Sequence, residues 1–364
     1  MLKKIGIILI ISTIISLAFG IVGCKTGPIP TPAPPASKPP PSPSPSLTAP
    51  LEVIKWRLQS SQAPTSLHKV MSKVFMEEVE KNSSGRLKIE FYEQGAIIGI
   101  NELFDGVSKG TVEMGFGSAL FEMGVLPEAE VEWGLPGSFD RYQDYWDFWF
   151  TYKDGTAVKI LDAAYKERGI HYLTMDPAIM GIYTKFSIKR LDDLKGKKIS
   201  AGGAAAWLME KIGAKPVNIP SAELYVALQR GTIDAAVQIN YLSITHKIAE
   251  VTTHFVEKPS SSLGTANLYV NLNAFSKLPA DLQKVVEEAA KKGGMAFLKQ
   301  VDSYGNECLE KANKDNGLVR VTLPDEDGKT LIATATPYWD QVAAKAPRNA
   351  ELVNLIKQFL KEKK

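Results

Sequence analysis

Side chains that could perform catalysis are scattered along this sequence rather than grouped in motifs. The four histidines fall in separate predicted elements, and no pair has the spacing of a metal-binding helix or loop. Asp192-Asp193 and Glu287-Glu288 are adjacent pairs, and sequence neighbours do not face each other on a helix, so neither predicts an acid–base dyad. No P-loop, Gly-x-Ser-x-Gly or Gly-x-Gly-x-x-Gly motif follows a predicted strand. The sequence therefore predicts a binding protein rather than an enzyme, with no cofactor and no metal.

Three short stretches of small and polar residues adjoin predicted strands. They are Ser60-Ser61-Gln62, Gly117-Ser118-Ala119 and Ala201-Gly202-Gly203. In an open parallel sheet, ligands bind outside the carboxyl ends of the strands, where helix N-termini present N–H groups. Each stretch could equally be a tight turn. Their joint placement predicts ligand contacts at Ser61, Gln62 and Ser118.

The elements that must position these stretches alternate between strand and helix. Residues 53–117 and residues 172–238 each have the pattern of βαβ units, and a strand returns at residues 263–272. This order predicts a bilobed α/β protein with crossover segments as its hinge. Residues 279–313 have helical spacing and would extend roughly 50 Å, enough to touch both lobes. Gly293-Gly294 within them predicts either a kink or a point of close packing.

Composition excludes several classes of protein. The chain has 364 residues, 45% apolar and 23% charged, as in folded soluble proteins. The first 50 residues contain four Lys and no acidic residue. The other 314 residues contain 39 Lys plus Arg and 40 Asp plus Glu, which gives them a net charge of −1. A near-neutral body lacks the basic face that nucleic-acid binding requires. No nucleic-acid partner is predicted.

The N-terminus has the composition of a targeting segment. Lys3 and Lys4 precede an uncharged, Ile-rich run that ends at Ile21-Val22-Gly23-Cys24. This ending resembles the bacterial lipobox, in which the Cys is diacylated, and it predicts a signal peptide over residues 1–23 and lipidation of Cys24. Residues 24–50 contain half of the prolines and no aromatic residue, which predicts an extended tether. The alternative is an uncleaved signal-anchor helix. Both readings place the body outside the cytoplasm, in the periplasm or on the outer cell surface.

Several motifs in the body carry a family resemblance. The segments are LKGKKI (194–199), AKPVNIP (214–220) and ELYVALQRGTIDAA (223–236). With the order of elements and the lipobox, they resemble the extracytoplasmic solute-binding proteins of tripartite ATP-independent periplasmic (TRAP) transporters, the DctP-like family, in a lipoprotein form. The resemblance implies a periplasmic-binding-protein-like fold, with two parallel or mixed sheets flanked by helices and joined by crossover strands and a long bracing helix.

This chain departs from the family at several positions where the resemblance implies ligand-binding residues. The family's carboxylate-binding Arg falls at Ser200, and a second Arg falls near Gly181. Where the family often has a Glu, this chain has Val237-Gln238-Ile239-Asn240. These departures predict a less charged pocket that takes a neutral or weakly anionic solute. Beyond the three contacts above, the predicted ligand-binding residues are Met180, Tyr183, Ser200, Trp207, Gln238, Asn240 and Tyr241.

The predicted function is that of a receptor. Residues 51–173 and 263–364 are expected to form lobe 1 with the bracing helix, and residues 174–262 to form lobe 2. The receptor would capture a small organic solute between the lobes and deliver it to the membrane subunits of a TRAP permease, while its lipid anchor holds it to the membrane. Two alternatives stay open: a sensory or scavenging receptor of the same fold without a permease, and an extracytoplasmic hydrolase or lyase.

Overall fold

The computed structural model describes Gly27, residues 53–62 and residues 67–363. The predicted signal peptide, Cys24 and the tether apart from Gly27 lie outside the described residues. Among the helices of the described part, none has the length and apolar character needed to cross a bilayer.

The described chain alternates strands with helices, as predicted. The strands are β1 Ile54–Ser60, β2 Leu87–Tyr92, β3 Met114–Ser118, β4 Ile170–Thr184, β5 Lys198–Ser200, β6 Lys215–Val217, β7 Ala235–Ile239, β8 His254–Lys258, β9 Ser262–Asn271 and β10 Val319–Thr322. The α-helices are α1 Lys69–Asn82, α2 Leu103–Ser108, α3 Ala119–Glu122, α4 Ala129–Trp133, α5 Tyr142–Phe150, α6 Thr156–Lys166, α7 Gly203–Lys211, α8 Leu224–Gln229, α9 Leu242–Thr245, α10 Leu272–Ser276, α11 Ala280–Asn316, α12 Asp325–Ala343 and α13 Pro347–Glu362. Short 3-10 turns occupy Ile100–Glu102, Tyr152–Gly155, Leu191–Leu194, Ser221–Glu223 and Ile248–Glu250.

The strands form one continuous mixed sheet. Its order is β2-β1-β3-β9-β4-β7-β5-β6, and β8 pairs with both β4 and β10. Each βαβ unit is parallel internally, as predicted: β1 pairs with β2 and β3, and β5 pairs with β6 and β7. The two expected sheets are joined because β4 is long. Its residues 170–180 run antiparallel to β9, and its residues 180–184 run antiparallel to β7.

Helix α11 is the predicted long helix, and it is continuous over 37 residues. It begins after Pro279 and ends at Gly317, whose φ of 72° is the left-handed conformation that commonly terminates helices. A Cβ at Gly293 would lie 2.8 Å from the carbonyl oxygen of Met71 in α1. The two glycines are therefore a point of close packing, the second of the two alternatives.

The glycine pair yields a test of this packing. A Cβ at Gly294 would lie 2.5 Å from Thr174 Oγ1 and 2.6 Å from the Trp146 ring. We expect Gly294→Ala to lower the free energy of unfolding by about 1–3 kcal/mol, because this core has no room for a methyl group. Gly328 in α12 is the control, since its Cβ would approach nothing nearer than 3.9 Å. Gly328→Ala should raise stability by up to about 1 kcal/mol. Chemical denaturation measures both, and equal effects would contradict the close contact.

Candidate ligand-binding site

A cavity of about 690 Å³ opens at the carboxyl ends of β1, β3 and β7. Strands β4 and β9 form one wall of the cavity, and helices α9 and α11 contribute further side chains to its lining. This position is where open α/β sheets bind ligands. The described residues that line it are Gln62, Leu67, His68, Lys69, Val70, Ser118, Trp133, Ala178, Met180, Ser221, Gln238, Ile239, Tyr241, Leu242, Thr245, His246, Gly264, Thr265, Ala266 and Tyr304.

Half of the predicted ligand contacts meet in this cavity. They are Gln62, Ser118, Met180, Gln238 and Tyr241. Gln62 follows β1 and Ser118 ends β3 in the first βαβ unit, and Gln238 is the penultimate residue of β7 in the second. Strands far apart in sequence therefore bring these side chains to one place. The third polar stretch, Ala201-Gly202-Gly203, contributes no residue to the described lining.

Three other predicted contacts lie next to the cavity rather than in its lining. Ser61 supports Gln62, whose Nε2 donates to Ser61 Oγ at 3.1 Å and to the carbonyl oxygen of Gly117 at 2.9 Å. Tyr183 is fully buried, and its hydroxyl donates to the carbonyl oxygen of Asn240 at 2.6 Å. The Asn240 side chain lines a second cavity behind β4.

The remaining two predicted contacts, Ser200 and Trp207, have other neighbours. Ser200 is 4% exposed, and its hydroxyl lies 3.5 Å from the carbonyl oxygen of Ile219. The Trp207 ring packs on Tyr338 of α12, with 5.2 Å between ring centroids. Neither residue belongs to the described lining.

The second cavity has a volume of about 520 Å³. Side chains alternate along β4, so Ala178 and Met180 face the first cavity while Ile179 and Gly181 face the second. Four aromatic residues of α5 are buried in the core: Tyr142, Tyr145, Trp146 and Trp149. Tyr142 and Trp146 also line the second cavity.

Gly264 leaves room for two side chains that line the first cavity. A Cβ at Gly264 in β9 would lie 3.0 Å from the Met180 methyl carbon and 3.1 Å from the Trp133 ring. Both side chains line the cavity beside it. The glycine therefore allows an indole and a thioether to reach the strand and form an apolar floor.

A pair formed by the partly buried His68 and the buried Asp176 joins the cavity wall to the core. His68 Nδ1 lies 2.7 Å from Asp176 Oδ2, and Asp176 Oδ1 accepts from the amide of Ala266 at 3.2 Å. The His68 ring stacks on Phe297 at 5.4 Å. Burial raises the pKa of Asp176 to about 6, against the lowering effect of His68. Sequence reasoning treated His68 as an ordinary histidine, because the two residues are 108 positions apart and form no motif.

The described lining of the cavity carries little charge. It contains no Arg, Asp or Glu, and its potential cations are His68, Lys69 and His246. Lys69 is already paired, with its Nζ 2.6 Å from a carboxylate oxygen of Glu93. In the described part of the chain, no group of three or more His, Cys, Asp and Glu is arranged to hold a metal ion.

Comparison with known proteins agrees with this geometry. The profile of "Bacterial extracellular solute-binding protein, family 7" (DctP) matches residues 59–346. A monocarboxylate 2-oxoacid-binding periplasmic protein of Nostoc is 27% identical over 269 residues, 73% of each chain. A TRAP periplasmic solute-binding protein from Rhodobacter sphaeroides, in an apo open structure, has a TM-score of 0.76 at 21% identity and covers 85% of this chain and 98% of its own. One from Pseudoalteromonas atlantica, with bound sodium and pyruvate, has a TM-score of 0.72 at 24% identity over 85% and 95%.

The fold is that of a bilobed, periplasmic-binding-protein-like α/β protein, and the predicted fold class is confirmed. The chain belongs to extracellular solute-binding protein family 7, the DctP family. The resemblance read from residues 194–236 is thus confirmed at the level of the family. The family is described as one of solute-binding proteins, and the Nostoc relative is named as a binding protein for monocarboxylate 2-oxoacids.

The buried aspartate makes stability depend on pH. Folded Asp176 keeps its proton up to about pH 6, whereas an unfolded Asp loses it near pH 3.9. Its contribution is therefore fully present below about pH 3.9 and is lost as the pH rises through about 6. We expect Asp176→Asn to remove roughly 3 kcal/mol of this fall in the free energy of unfolding.

The measurement is urea denaturation of both proteins between about pH 4 and about pH 7. Asp281→Asn is the control, because a hydrogen bond from Arg86 lowers the pKa of Asp281, so the titration of this carboxyl falls below the measured range and the variant should keep the wild-type pH dependence. Parallel curves for wild type and Asp176→Asn would contradict the role of the buried carboxyl.

Proposed function

We propose that this protein captures a small polar solute in the cavity at the ends of β1, β3 and β7 and delivers it to a TRAP-type permease. The observation that carries the proposal is the cavity itself. Its size suits a small molecule. Its described lining combines hydrogen-bonding groups from both βαβ units with an apolar floor. Delivery to a permease is supported by membership of the family.

We propose that the solute is neutral or weakly anionic. A carboxylate is usually held by an Arg in a bidentate, charge-assisted pair, and the described lining contains no Arg. It offers hydroxyl and amide groups instead. Gln238 Nε2 donates to Ser221 Oγ at 3.2 Å, so two lining groups already form a polar ridge. The two amide hydrogens of Gln62 are engaged by Ser61 and Gly117, so its Oε1 would accept from a ligand.

In this proposal, residues 51–173 and 263–364 form lobe 1, and residues 174–262 form lobe 2. Strands β4 and β9 cross between them, and both strands line the cavity. A small change at this crossing would open or close the cavity around the solute, as in other hinged binding proteins.

The ligand class is tested by binding measurements. We expect native mass spectrometry of protein purified without refolding to reveal the retained solute. Calorimetry should show that pyruvate, lactate and succinate bind wild type no better than their amides. Gln238→Ala should weaken binding of the retained solute about tenfold, because one hydrogen bond contributes about 1 kcal/mol and its loss leaves a polar group unpaired.

The control for that test is Asn306→Ala, a change in the second cavity, which should leave affinity unchanged. Tight wild-type binding of a plain carboxylate that disappears in its amide would overturn the neutral-solute proposal. An unchanged affinity in Gln238→Ala would overturn the choice of cavity.

We further propose that the protein is anchored by lipid on Cys24. The support is the sequence alone: Lys3 and Lys4, the uncharged run, and a small residue before the Cys. A diacylated Cys supplies the two chains that stable anchoring requires. The proline-rich residues up to 50 would hold the body away from the membrane.

The anchor is tested by Cys24→Ala expressed with the full N-terminus. The variant should move from the membrane fraction to the soluble extracytoplasmic fraction, with an unchanged melting curve, because the Cys lies outside the folded body. Cys308→Ala, a change at a buried thiol, is the control and should stay in the membrane fraction. A Cys24→Ala protein that remains membrane-bound would favour the signal-anchor alternative.

A further inference from the structure

Two buried carboxyl groups lie behind the cavity wall without a cation. Glu122 ends α3 and is 1% exposed, and Glu132 in α4 is fully buried. Every salt bridge in the described part of the chain joins other residues, so no Lys, Arg or His compensates either group. Burying an isolated carboxylate is costly, and a group in this position commonly becomes neutral instead.

Two side chains bridge the pair. The Tyr165 hydroxyl contacts Glu122 Oε2 and lies 2.6 Å from Glu132 Oε2. Asn267 Nδ2 lies 2.8 Å from Glu122 Oε2 and 2.9 Å from Glu132 Oε1. A third donor, the Tyr172 hydroxyl, lies 2.9 Å from Glu132 Oε1. The two carboxyl groups therefore share one small polar enclosure.

The available hydrogens do not satisfy these contacts if both groups are ionised. A phenol has one hydrogen, but Tyr165 contacts one carboxyl oxygen of each Glu. If Tyr165 donates to one of them, the other contact brings together two oxygen atoms with no hydrogen between them, unless that carboxyl group supplies it. Asn267 Nδ2 cannot supply it, because its two hydrogens already face Glu122, Glu132 and the Tyr165 oxygen. One proton on the pair supplies the hydrogen that this contact lacks.

The surrounding titratable groups agree with this assignment. Burial, and for Glu122 also the charge of Glu132, raises the pKa of both carboxyls above the usual range. The phenols that face them are Tyr165, Tyr172 and Tyr269, and the Tyr145 hydroxyl contacts the carbonyl oxygen of Glu132. Burial and the nearby carboxylate charge raise the pKa of each phenol as well, so the phenols remain neutral donors.

The same residues hold the cavity wall. The carbonyl oxygen of Glu132 accepts from Thr265 Oγ1 at 2.7 Å, and Trp133 follows Glu132 directly. Ser118 Oγ donates to the carbonyl oxygen of Thr265 at 3.3 Å. Trp133, Thr265 and Ser118 all line the cavity. A movement of Glu132 would therefore move two parts of the cavity lining, the Trp133 indole and the hydroxyl of Thr265.

We propose that Glu122 and Glu132 share a single proton in the folded protein, and that this proton holds the wall formed by Trp133 and Thr265 in its binding shape. The two glutamates are positioning residues, since neither lines the cavity. Loss of the proton places two negative charges against one phenol in a buried site, and their repulsion displaces α4. The relevance to ligand capture rests on the proposed function, but the proton and the wall do not.

The test therefore uses protein without ligand. Fluorine NMR of fluorotryptophan-labelled protein reports on the six tryptophans, and Trp133→Phe assigns the resonance of Trp133. We expect this resonance to shift as the pH rises from about 6 to about 9, well above the titration of an ordinary Glu. Glu122→Gln and Glu132→Gln should each abolish the shift, because a neutral amide leaves only one ionisable group in the enclosure.

Glu113→Gln is the matched control. Although partial burial acts in the opposite direction, hydrogen bonds from Arg57 hold the pKa of Glu113 below its ordinary value. This variant should retain the wild-type shift of Trp133. Infrared spectra of wild type at about pH 7.5 should contain the C=O band of a protonated carboxyl that disappears on alkaline titration, a measurement that needs no variant to fold.

Each result tests one part of the proposal. No protonated carboxyl band at neutral pH would overturn the shared proton. A band without a pH-dependent Trp133 shift, or a shift that persists in both glutamine variants, would overturn its role in the wall. None of these results depends on a ligand, so failure of the proposed function in the calorimetric panel would be recognised separately.

Discussion

The antiparallel pairing of β4 with β9 is the constraint on which the rest of the structure depends. It joins the two βαβ units into one sheet, and it fixes Ala178 opposite Gly264 and Met180 opposite Ser262. Since side chains alternate along a strand, a slip of one residue would exchange the two faces of β4. Met180 would then leave the first cavity and Gly181 would enter it. The hydrogen bond from the amide of Ala266 to Asp176 would be lost in the same step.

Three buried carboxyl groups lie near the β4–β9 pairing, and they have two kinds of hydrogen-bond partner. Asp176 has an imidazole partner and a backbone amide, so a charged state is partly compensated. Glu122 and Glu132 have phenols and an amide, which donate hydrogen bonds but carry no positive charge. Hydrogen bonds alone rarely offset the burial of two charges. All three groups lie behind the wall of the same cavity, and burial raises the pKa of each of them.

The sequence predicted the elements whose patterns are local. The alternation of strands and helices and the presence of the long α11 follow from periodicity, and the parallel pairing within each unit follows from the order of elements. Whether α11 was kinked or continuous at Gly293-Gly294 stayed open until its packing was seen. It predicted the place of the cavity because the carboxyl ends of parallel strands meet at one edge. It could not predict Trp133, Thr265 or His68, because each reaches the cavity through pairing with residues far away in sequence. Ser200 was expected in the cleft from the resemblance, but strand β5 ends with its hydroxyl against Ile219.

The resemblance puts one family Arg at Ser200 and a second near Gly181, and the packing of β4 bears on the second. A Cβ at Gly181 would lie 2.3 Å from the carbonyl oxygen of Val256 and 2.4 Å from the Phe255 ring, so β8 packs directly against the glycine. An Arg at Gly181 itself would therefore have to displace β8, and a buried guanidinium without a partner is strongly unfavourable. Ser200 is also buried, with its hydroxyl against the carbonyl oxygen of Ile219. The close packing of β8 on β4 thus leaves no room for an Arg side chain at Gly181.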